Sequence, residues 1–324
     1  MAKVVREELI KRLADGQFIS GQVLATDTGV SRTAISKHIK VLTEMGLDIF
    51  SVQGKGYKLA NPIQLLEQQV IAQTLRQQGA TNIVEVHNLI DSTNSYLMRR
   101  LPNNVTHGQV CIAEYQSSGR GRRGKQWISP FGSHLYLSMY WHLEQGLSAA
   151  MGISIVIGLA VSDVLKSEYD LDVQLKWPND IYVEGKKLAG ILVELEGQSV
   201  GPGNCVIGLG LNLNMPQQSA VQIDQPWTDL QQAVNTPIDR NQLAANLITT
   251  ISKRLEQHHK FGLAPMLNDW QRQDYFINQA VRLVTGEKET RGICRGINAS
   301  GALLLEVDGK QKPVYGGEVS LRSA

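Results

Sequence analysis

The sequence predicts an α+β protein of three units: a winged helix-turn-helix, a mixed α/β centre and a small C-terminal β-barrel. Three observations carry this. Capped, helix-period apolar stripes open the chain and lead into a basic hairpin. The centre mixes strands and helices without strict βαβ repetition. From Gln279 the texture changes to closely spaced β-like runs. The breaks divide the chain into residues 1–62, 63–273 and 274–324, the first marked by Ala60-Asn61-Pro62.

At 324 residues, 42% hydrophobic and 19% charged, the chain has the makeup of a soluble globular protein with ample core material. A net charge of +2 is too balanced to imply general nucleic-acid binding. The three cysteines, Cys111, Cys205 and Cys294, are far apart and suit neither a disulfide framework nor a CxxC site, which favours a reducing cytosol. The seven histidines form no HxxxH or HExxH pattern, so no metal site is assigned. Serine-hydrolase chemistry is set aside as well. The longest apolar run, Ala149–Val161, is shorter than the ~18 residues of a membrane span. Met1–Asp15 is charged and periodic rather than a signal peptide. A cytoplasmic protein without membrane contact is expected.

In the first unit, Val5, Leu9 and Leu13 recur at helical spacing and Gly16 stops that helix. Ser20 caps a short second helix running through Asp27, and Gly29 makes the turn. Ser31 caps a third helix whose buried stripe is Ile35, Ile39 and Leu42. With Ser31 at its start, the open face presents Arg32, Thr33, Ser36, Lys37, His38 and Lys40, side chains that reach base edges and phosphates. The hairpin through Gln53–Gly56 adds Lys55 and Lys58. Residues 1–60 hold nine Lys and Arg against six Asp and Glu, so this unit is more basic than the whole. A small helical interaction domain is the plainer alternative.

In the second unit, Pro62–Gln78 reads as a connecting helix and Ile83–Ile90 as a strand. The strand runs into Asp91-Ser92-Thr93-Asn94. Polar residues at such a junction cap free N–H groups. Three in a row also offer donors and acceptors to a small polar ligand. After the strand Gln109–Tyr115 comes QSSGRGRRGKQW, Gln116–Trp127. Its glycines allow close backbone approach, and Arg120, Arg122 and Arg123 offer guanidinium forks to an anion. The string matches G-x-G-x-x-G at Gly119, Gly121 and Gly124, but KQWISPFGSHLYLSMYW follows and reads as loop and strand. A dinucleotide fold needs a helix there, so that reading is rejected. Gly132–His142 is then strand, Ala149–Lys166 a buried helix and Asp172–Lys176 a strand leading into Trp177-Pro178-Asn179-Asp180. A hairpin through Glu184-Gly185-Lys186 puts Lys187 on its second strand, beside the small Ala189 and Gly190. A lysine on an apolar strand ordinarily snorkels to solvent. Near an anion-binding loop it becomes a candidate for catalysis. Cys205–Leu213 is a further strand, with close backbone approach at Gly208 and Gly210, and Thr228–Gly262 is helical.

In the third unit, turns at Thr285-Gly286, Asn298–Gly301, Asp308-Gly309 and Gly316-Gly317 separate the short strands. A unit this small fits covering or docking better than catalysis of its own.

The set GRGRRG, KWPND, KKLAGILVE and SLRS, behind a winged helix, resembles the bifunctional biotin–protein ligase and biotin operon repressor family over essentially the whole chain. The resemblance implies a central domain of the class II synthetase/biotin ligase type and an SH3-like barrel. It implies ATP-dependent, AMP-forming ligation. Biotin and ATP would give biotinyl-5′-adenylate and pyrophosphate, with Mg²⁺ accompanying the triphosphate. The biotinyl group would then pass to a lysine of the biotin carboxyl carrier protein of acetyl-CoA carboxylase. Ser92, Thr93, Asn94, Gln116, Arg120, Gly121, Arg122 and Lys187 match the family's biotin and adenylate contacts. Trp227 matches its adenine-packing aromatic. Lys187, Arg120 and Arg122 are expected to meet the carboxylate and phosphate, with Asp180 organising the metal or capping its own turn. An adenylate-bound homodimer would bind operator DNA of the biotin operon. Three rivals remain: a non-catalytic ligand sensor, a lipoate ligase, and a ligase whose first unit binds no DNA.

Overall fold

The structure is a computed structural model that describes residues 2–144, 146–197, 201–316 and 319–324. The chain begins with α1 (Ala2–Leu13), α2 (Gly21–Thr28) and α3 (Arg32–Glu44), followed by the hairpin β1 (Ile49–Val52) and β2 (Gly56–Leu59). Local signals place these boundaries. Ser20 Oγ accepts from Val23 N and Ser31 Oγ from Ala34 N, each satisfying a free N–H of its helix. Gly29, at φ 68°, closes α2 in the left-handed conformation that glycine tolerates. Leu9, Leu13, Leu24, Ile35 and Leu42 fill the core between these helices. Two residues from far along the chain, Leu89 and Phe131, complete it.

The connecting helix is shorter than the sequence suggests. α4 spans Gln68–Gln77, and residues 62–67 are not helical. That segment is held from outside: Leu66 N donates to Glu114, Glu67 N to Asn241, and Arg240 Nη1 to the Gln64 carbonyl. Tertiary hydrogen bonds have replaced the helical ones.

The centre is a seven-stranded sheet: β3 (Val84–His87), β4 (Val110–Ala113), β5 (His134–Leu143), β6 (Gln174–Lys176), β7 (Asp180–Val183), β8 (Lys186–Gly197) and β9 (Gly203–Asn212). Their order is β3-β4-β5-β9-β8-β7-β6, antiparallel except for the β3/β4 pair. Two-residue periodicity sorts the side chains. Leu135, Leu137, Met139 and Trp141 of β5, with Cys205, Ile207, Leu209 and Leu211 of β9, enter the main core. That core also takes in α6 (Ile153–Tyr169) and α9 (Arg240–Phe261). Within Leu147–Tyr169 an 18-residue window has a mean hydropathy of 1.9, high enough by length and composition for a membrane span. Its helix packs instead on α9 and β8 as a core helix. The alternate residues of β5 and β9 face the other way, towards α5 (Thr93–Met98), whose Leu97 packs with Cys111, Tyr140 and Val206. All three cysteines are buried and free.

Short helices α7 (Gln217–Ala220) and α8 (Leu230–Ala233) precede α9, and α10 (Leu267–Gln273) follows it. The chain ends in a five-stranded antiparallel sheet of β10 (Ala280–Thr285), β11 (Lys288–Ile297), β12 (Leu303–Val307), β13 (Lys310–Val314) and β14 (Val319–Ser323). Of the expected turn at Gly316-Gly317, Gly317 lies outside the described residues, as does Glu318.

Candidate functional site

A cavity of about 500 Å³ opens on the α5 side of the seven-stranded sheet. Its floor is made of glycine. The register pairs Gly190 with Gly210 and Gly208 with both Ser138 and Leu192, so three glycines lie together on adjacent strands β8 and β9. Trp127 lies over two of them, while Gly208 faces Asn94: a Cβ on Gly210 would stand 2.6 Å from Trp127 Cε2, and one on Gly190 2.9 Å from its Cζ3. The missing Cβ atoms let the indole lie directly against the backbone of Gly190 and Gly210, and together they form an apolar wall of the cavity. Sequence analysis gave Trp127 no role, because its place over the glycines depends on strand register that local patterns do not encode.

The polar end sits at the start of α5. Ser92 Oγ accepts from Ser95 N, so the capping role holds for that residue. Thr93 and Asn94 are buried and serve a network. Gln116 Oε1 accepts from Thr93 N at 2.9 Å and from Thr93 Oγ1 at 3.2 Å, and Gln116 Nε2 donates to Ser129 Oγ. Ser138 Oγ lies 2.7 Å from Thr93 Oγ1 and 2.5 Å from Asn94 Oδ1. Its single proton serves one of these at a time. Ser138 is the second residue that sequence analysis missed.

The mouth is cationic. Seven Lys and Arg side chains line the cavity against two Asp, Asp180 and Asp224. The glycine–arginine loop is ordered as a small hairpin: Gly121 N donates to Lys125 O at 2.7 Å and Trp127 N to Gly119 O at 2.9 Å. Arg120 Nη2 reaches Glu194 at 2.9 Å and Ser95 Oγ at 3.0 Å. Arg122 Nη1 donates to Asn179 Oδ1 at 3.0 Å. Burial holds the Arg122 guanidinium below its ordinary pKa, with Asp180 opposing the shift. Lys176, beside Tyr182 and Phe276, is lowered in the same way.

Lys187 reaches the cavity by a bulge. Ile181 pairs with Ala189 and Tyr182 with Lys187, so Leu188 is an extra residue in β8. In a regular strand Lys187 and Gly190 would face opposite sides. The bulge sends Leu188 into the main core and turns Lys187 towards Gly190. Lys187 Nζ stands 2.8 Å from Asp180 Oδ1 and 5.4 Å from the centre of the Trp127 ring.

The structure therefore brings Ser92, Thr93, Asn94, Gln116, Arg120, Gly121, Arg122, Asp180 and Lys187 to one cavity. Trp227 is not among the lining residues. It sits at the back of Lys187, whose N–H and carbonyl bond Pro226 O and Thr228 N, while Asp224, Gln225 and Pro226 line the wall. Away from the cavity, Arg32, Thr33, Ser36, Lys37 and Lys40 are exposed along α3, and Ser31 caps it. Lys55 is exposed at the hairpin, and Lys58 Nζ lies 5.2 Å from the Phe18 ring centre. One exclusion needs correction: a literal G-x-S-x-G does occur, at Gly197–Gly201. It falls between strands β8 and β9 rather than at the strand-to-helix elbow such a nucleophile needs, and Gln198, Ser199 and Val200 lie outside the described residues.

Fold and cavity define a ligase-type domain that carries its own DNA-binding unit. Three family models match in the order of the chain: an HTH domain over residues 5–58, the biotin/lipoate A/B protein ligase family over 86–212, and the biotin protein ligase C terminal domain over 276–322. The bifunctional ligase/repressor BirA of Salmonella typhimurium is 50% identical, with 98% of this chain and 97% of that protein aligned. The Escherichia coli protein of the same name gives the same three values. A biotin protein ligase from Aquifex aeolicus, solved in complex with biotin and ATP, superposes with a TM-score of 0.64 at 26% identity, covering 75% of this chain and 99% of that one. The chain belongs to the biotin protein ligase family, and within it to the bifunctional ligase/repressors.

Proposed function

We propose that the protein joins biotin to ATP, forming biotinyl-5′-adenylate and pyrophosphate, and passes the biotinyl group to a lysine of the biotin carboxyl carrier protein. The observation that carries this is one cavity with a glycine floor under Trp127 at one end and seven cations at the other. Biotin has the complementary shape: an apolar bicycle with one polar ureido edge and a distant carboxylate. The bicycle packs on the apolar wall that Trp127 forms with the glycine backbone of β8 and β9. The ureido edge meets Thr93, Asn94 and Gln116, with Ser138 holding Thr93 and Asn94 from behind.

Adenylation brings a carboxylate to a phosphate, an anion to an anion. Lys187 supplies positive charge where they meet, and Asp180 holds its amine in place. Arg120, Gly121 and Arg122 contribute from the loop. A carboxylate oxygen attacks the α-phosphorus and pyrophosphate leaves. ATP would arrive as its Mg²⁺ complex; Asp180 is taken up by Lys187, which leaves Asp224 as the lining carboxylate that would hold the metal. Trp227, on a segment paired with Lys187, comes to adenine when that wall moves. The carrier's lysine then attacks the acyl carbon and releases AMP. A closed loop excludes water from the mixed anhydride meanwhile.

Under this reading residues 63–273 catalyse and 274–324 cover the site. Residues 1–62 bind operator DNA of the biotin operon through Arg32, Thr33, Ser36, Lys37, Lys40 and Lys55, when the adenylate favours a homodimer. ATP, carrier and operator meet in the cytoplasm. Biotin-dependent ATP–pyrophosphate exchange with the pure protein tests the enzyme. No exchange with biotin, or equal exchange with lipoate, overturns the reading. A gel shift on a palindromic operator, with and without biotin plus ATP, tests the repressor.

A further inference from the structure

Glu194 closes the KKLAGILVE motif but has been given no role so far, and it is bonded to two parts of the site. It stands on β8 on the same side as Gly190 and Leu192. One carboxylate oxygen, Oε2, accepts from Asn94 Nδ2 at 2.8 Å and from Arg120 Nη2 at 2.9 Å. Asn94 belongs to the polar end of the cavity and Arg120 to the loop that covers it.

Each contact has a consequence. Asn94 is fixed from both sides: Ser138 Oγ meets its Oδ1 and Glu194 meets its Nδ2. An amide held this way cannot flip without placing its NH₂ against Ser138 and its oxygen against a carboxylate. Gly208 leaves the room that Asn94 Oδ1 occupies, since a Cβ there would collide with that atom. Arg120 in turn sits on the loop hairpin, bridged to Gln126 one residue before Trp127. Glu194 therefore anchors the strip of chain that carries Trp127. Lys187 has Asp180 and Arg122 has Asn179, but neither acceptor also touches the polar end.

We propose that Glu194 is a positioning residue that ties loop closure to the orientation of Asn94, resting on the adenylation reading above. It makes no contact with the reacting atoms. The carboxylate docks Arg120 by charge and so holds Trp127 and the loop over the site, while the same oxygen keeps the Asn94 amide turned for the ligand's polar edge. Without it the loop reopens more often and a bound acyl-adenylate escapes.

The test uses the full chain, biotin and ATP, without carrier. Adenylate is formed in a single turnover, and its escape is timed by rapid filtration at low and high salt. The wild type should release adenylate faster as salt rises, because the Arg120–Glu194 pair is partly exposed and screened. Glu194→Ala should release it at least fivefold faster at low salt and lose most of that salt dependence. Glu194→Gln, close in shape and still able to accept from Asn94, should fall between the two and keep the biotin KM near wild type. Glu194→Ala should raise that KM several-fold. A structural role alone would move the melting temperature but not the salt dependence. Escape and salt dependence at wild-type values in both variants overturn the assignment of Glu194 alone. Absence of any biotin-dependent exchange in the wild type overturns the functional reading, and this proposal with it. If Glu194→Ala does not fold, Glu194→Gln decides by its escape rate.

Discussion

Replacing Lys187 by alanine should do two separable kinds of damage. The first is loss of positive charge at the junction of carboxylate and phosphate. One preorganised donor of this sort is worth about 2.7–4 kcal/mol in the transition state, or about 10²–10³ in rate. The second comes from Asp180. Lys187 and Asp180 are 13% and 19% exposed and 2.8 Å apart, so removing the amine strands a half-buried carboxylate beside the incoming phosphate. At ~5 Å and an effective dielectric of ~20, that repulsion is about 3 kcal/mol. Lys187→Ala should therefore lower kcat of biotin-dependent pyrophosphate exchange by at least 10²-fold. The double variant Lys187→Ala/Asp180→Asn should recover about tenfold or more of that loss. Asp180→Asn alone should lose less than Lys187→Ala, since the amine remains and only its aim is relaxed. Exchange assays on the three variants, with melting curves to verify folding, complete the cycle. Activity of Lys187→Ala within a few-fold of wild type would refute the role of Lys187. A double variant slower than Lys187→Ala would refute the stranded-carboxylate argument.

Gly210→Ala puts a methyl 2.6 Å from Trp127 Cε2, so the indole must shift. The biotin KM should rise about tenfold or more with a smaller change in kcat, at the ~1–3 kcal/mol that overpacking costs, and an unchanged KM would remove Trp127 from the biotin-binding wall. Phe131→Ala empties a side chain only 2% exposed in the core of the winged helix, at about 3–5 kcal/mol. Denaturant should unfold that unit early while exchange persists; one transition at the wild-type midpoint would refute the plug. Burial pushes His134 down to about 3 from its ordinary 6.5. Its folded pKa is depressed, so stability is full above the unfolded value and is lost as pH falls from there towards about 3. At ~1.4 kcal/mol per pH unit, about 2 kcal/mol should go by pH 5. His134→Asn, which keeps an acceptor for Leu213 N, should flatten the melting profile between pH 7 and 5; an unchanged slope would refute the assignment.

What was legible in the sequence is what short-range chemistry dictates. Ser20 and Ser31 announced their helices because a cap acts within three residues. The loop was legible because Gly and Arg say locally what they are for. The hairpin through Glu184 and Gly185 was legible too, and both residues take positive φ, as a two-residue turn of this kind requires. What stayed hidden depends on register. Gly190, Gly208 and Gly210 are scattered along the sequence and become a floor only when β8 and β9 align. Lys187 stood out as a candidate for its place near the loop, but its direction is set by a single extra residue, Leu188, which the pattern does not announce. Trp127 and Glu194 sit at the ends of legible stretches, yet what they touch is set by register. The connecting helix was overestimated at its start because Leu66 N and Glu67 N find acceptors in Glu114 and Asn241 and the carbonyls of Gln64 and Leu65 find donors in Arg240 and Asn241, which a local reading cannot see.

The path from ligand to DNA-binding unit is short and can be followed bond by bond. The loop is bracketed by Glu114, which holds the connecting segment, and Phe131, which holds the winged helix. Before it, Glu114 is fully buried, accepting from Leu66 N in the connecting segment and from Arg240 Nη2 at 2.7 Å. Only two residues on, Gln116 holds Thr93 at the polar end of the cavity. After the loop, Phe131 enters the winged-helix core and its N–H donates to Met45 O, just past the end of α3. Between Trp127 and Phe131 lie three residues, and they have little slack. Ser129 Oγ donates to Trp127 O, Tyr136 Oη donates to Pro130 O, and Pro130 packs on Gly46. A ligand that moves Trp127 pulls on Ser129, and the bond of Tyr136 to Pro130 sets how much of that shift reaches Phe131. Phe131 seats the end of the helix that carries Arg32, Ser36 and Lys37. Linkage between adenylate and operator then needs no long relay, because one segment of chain touches both.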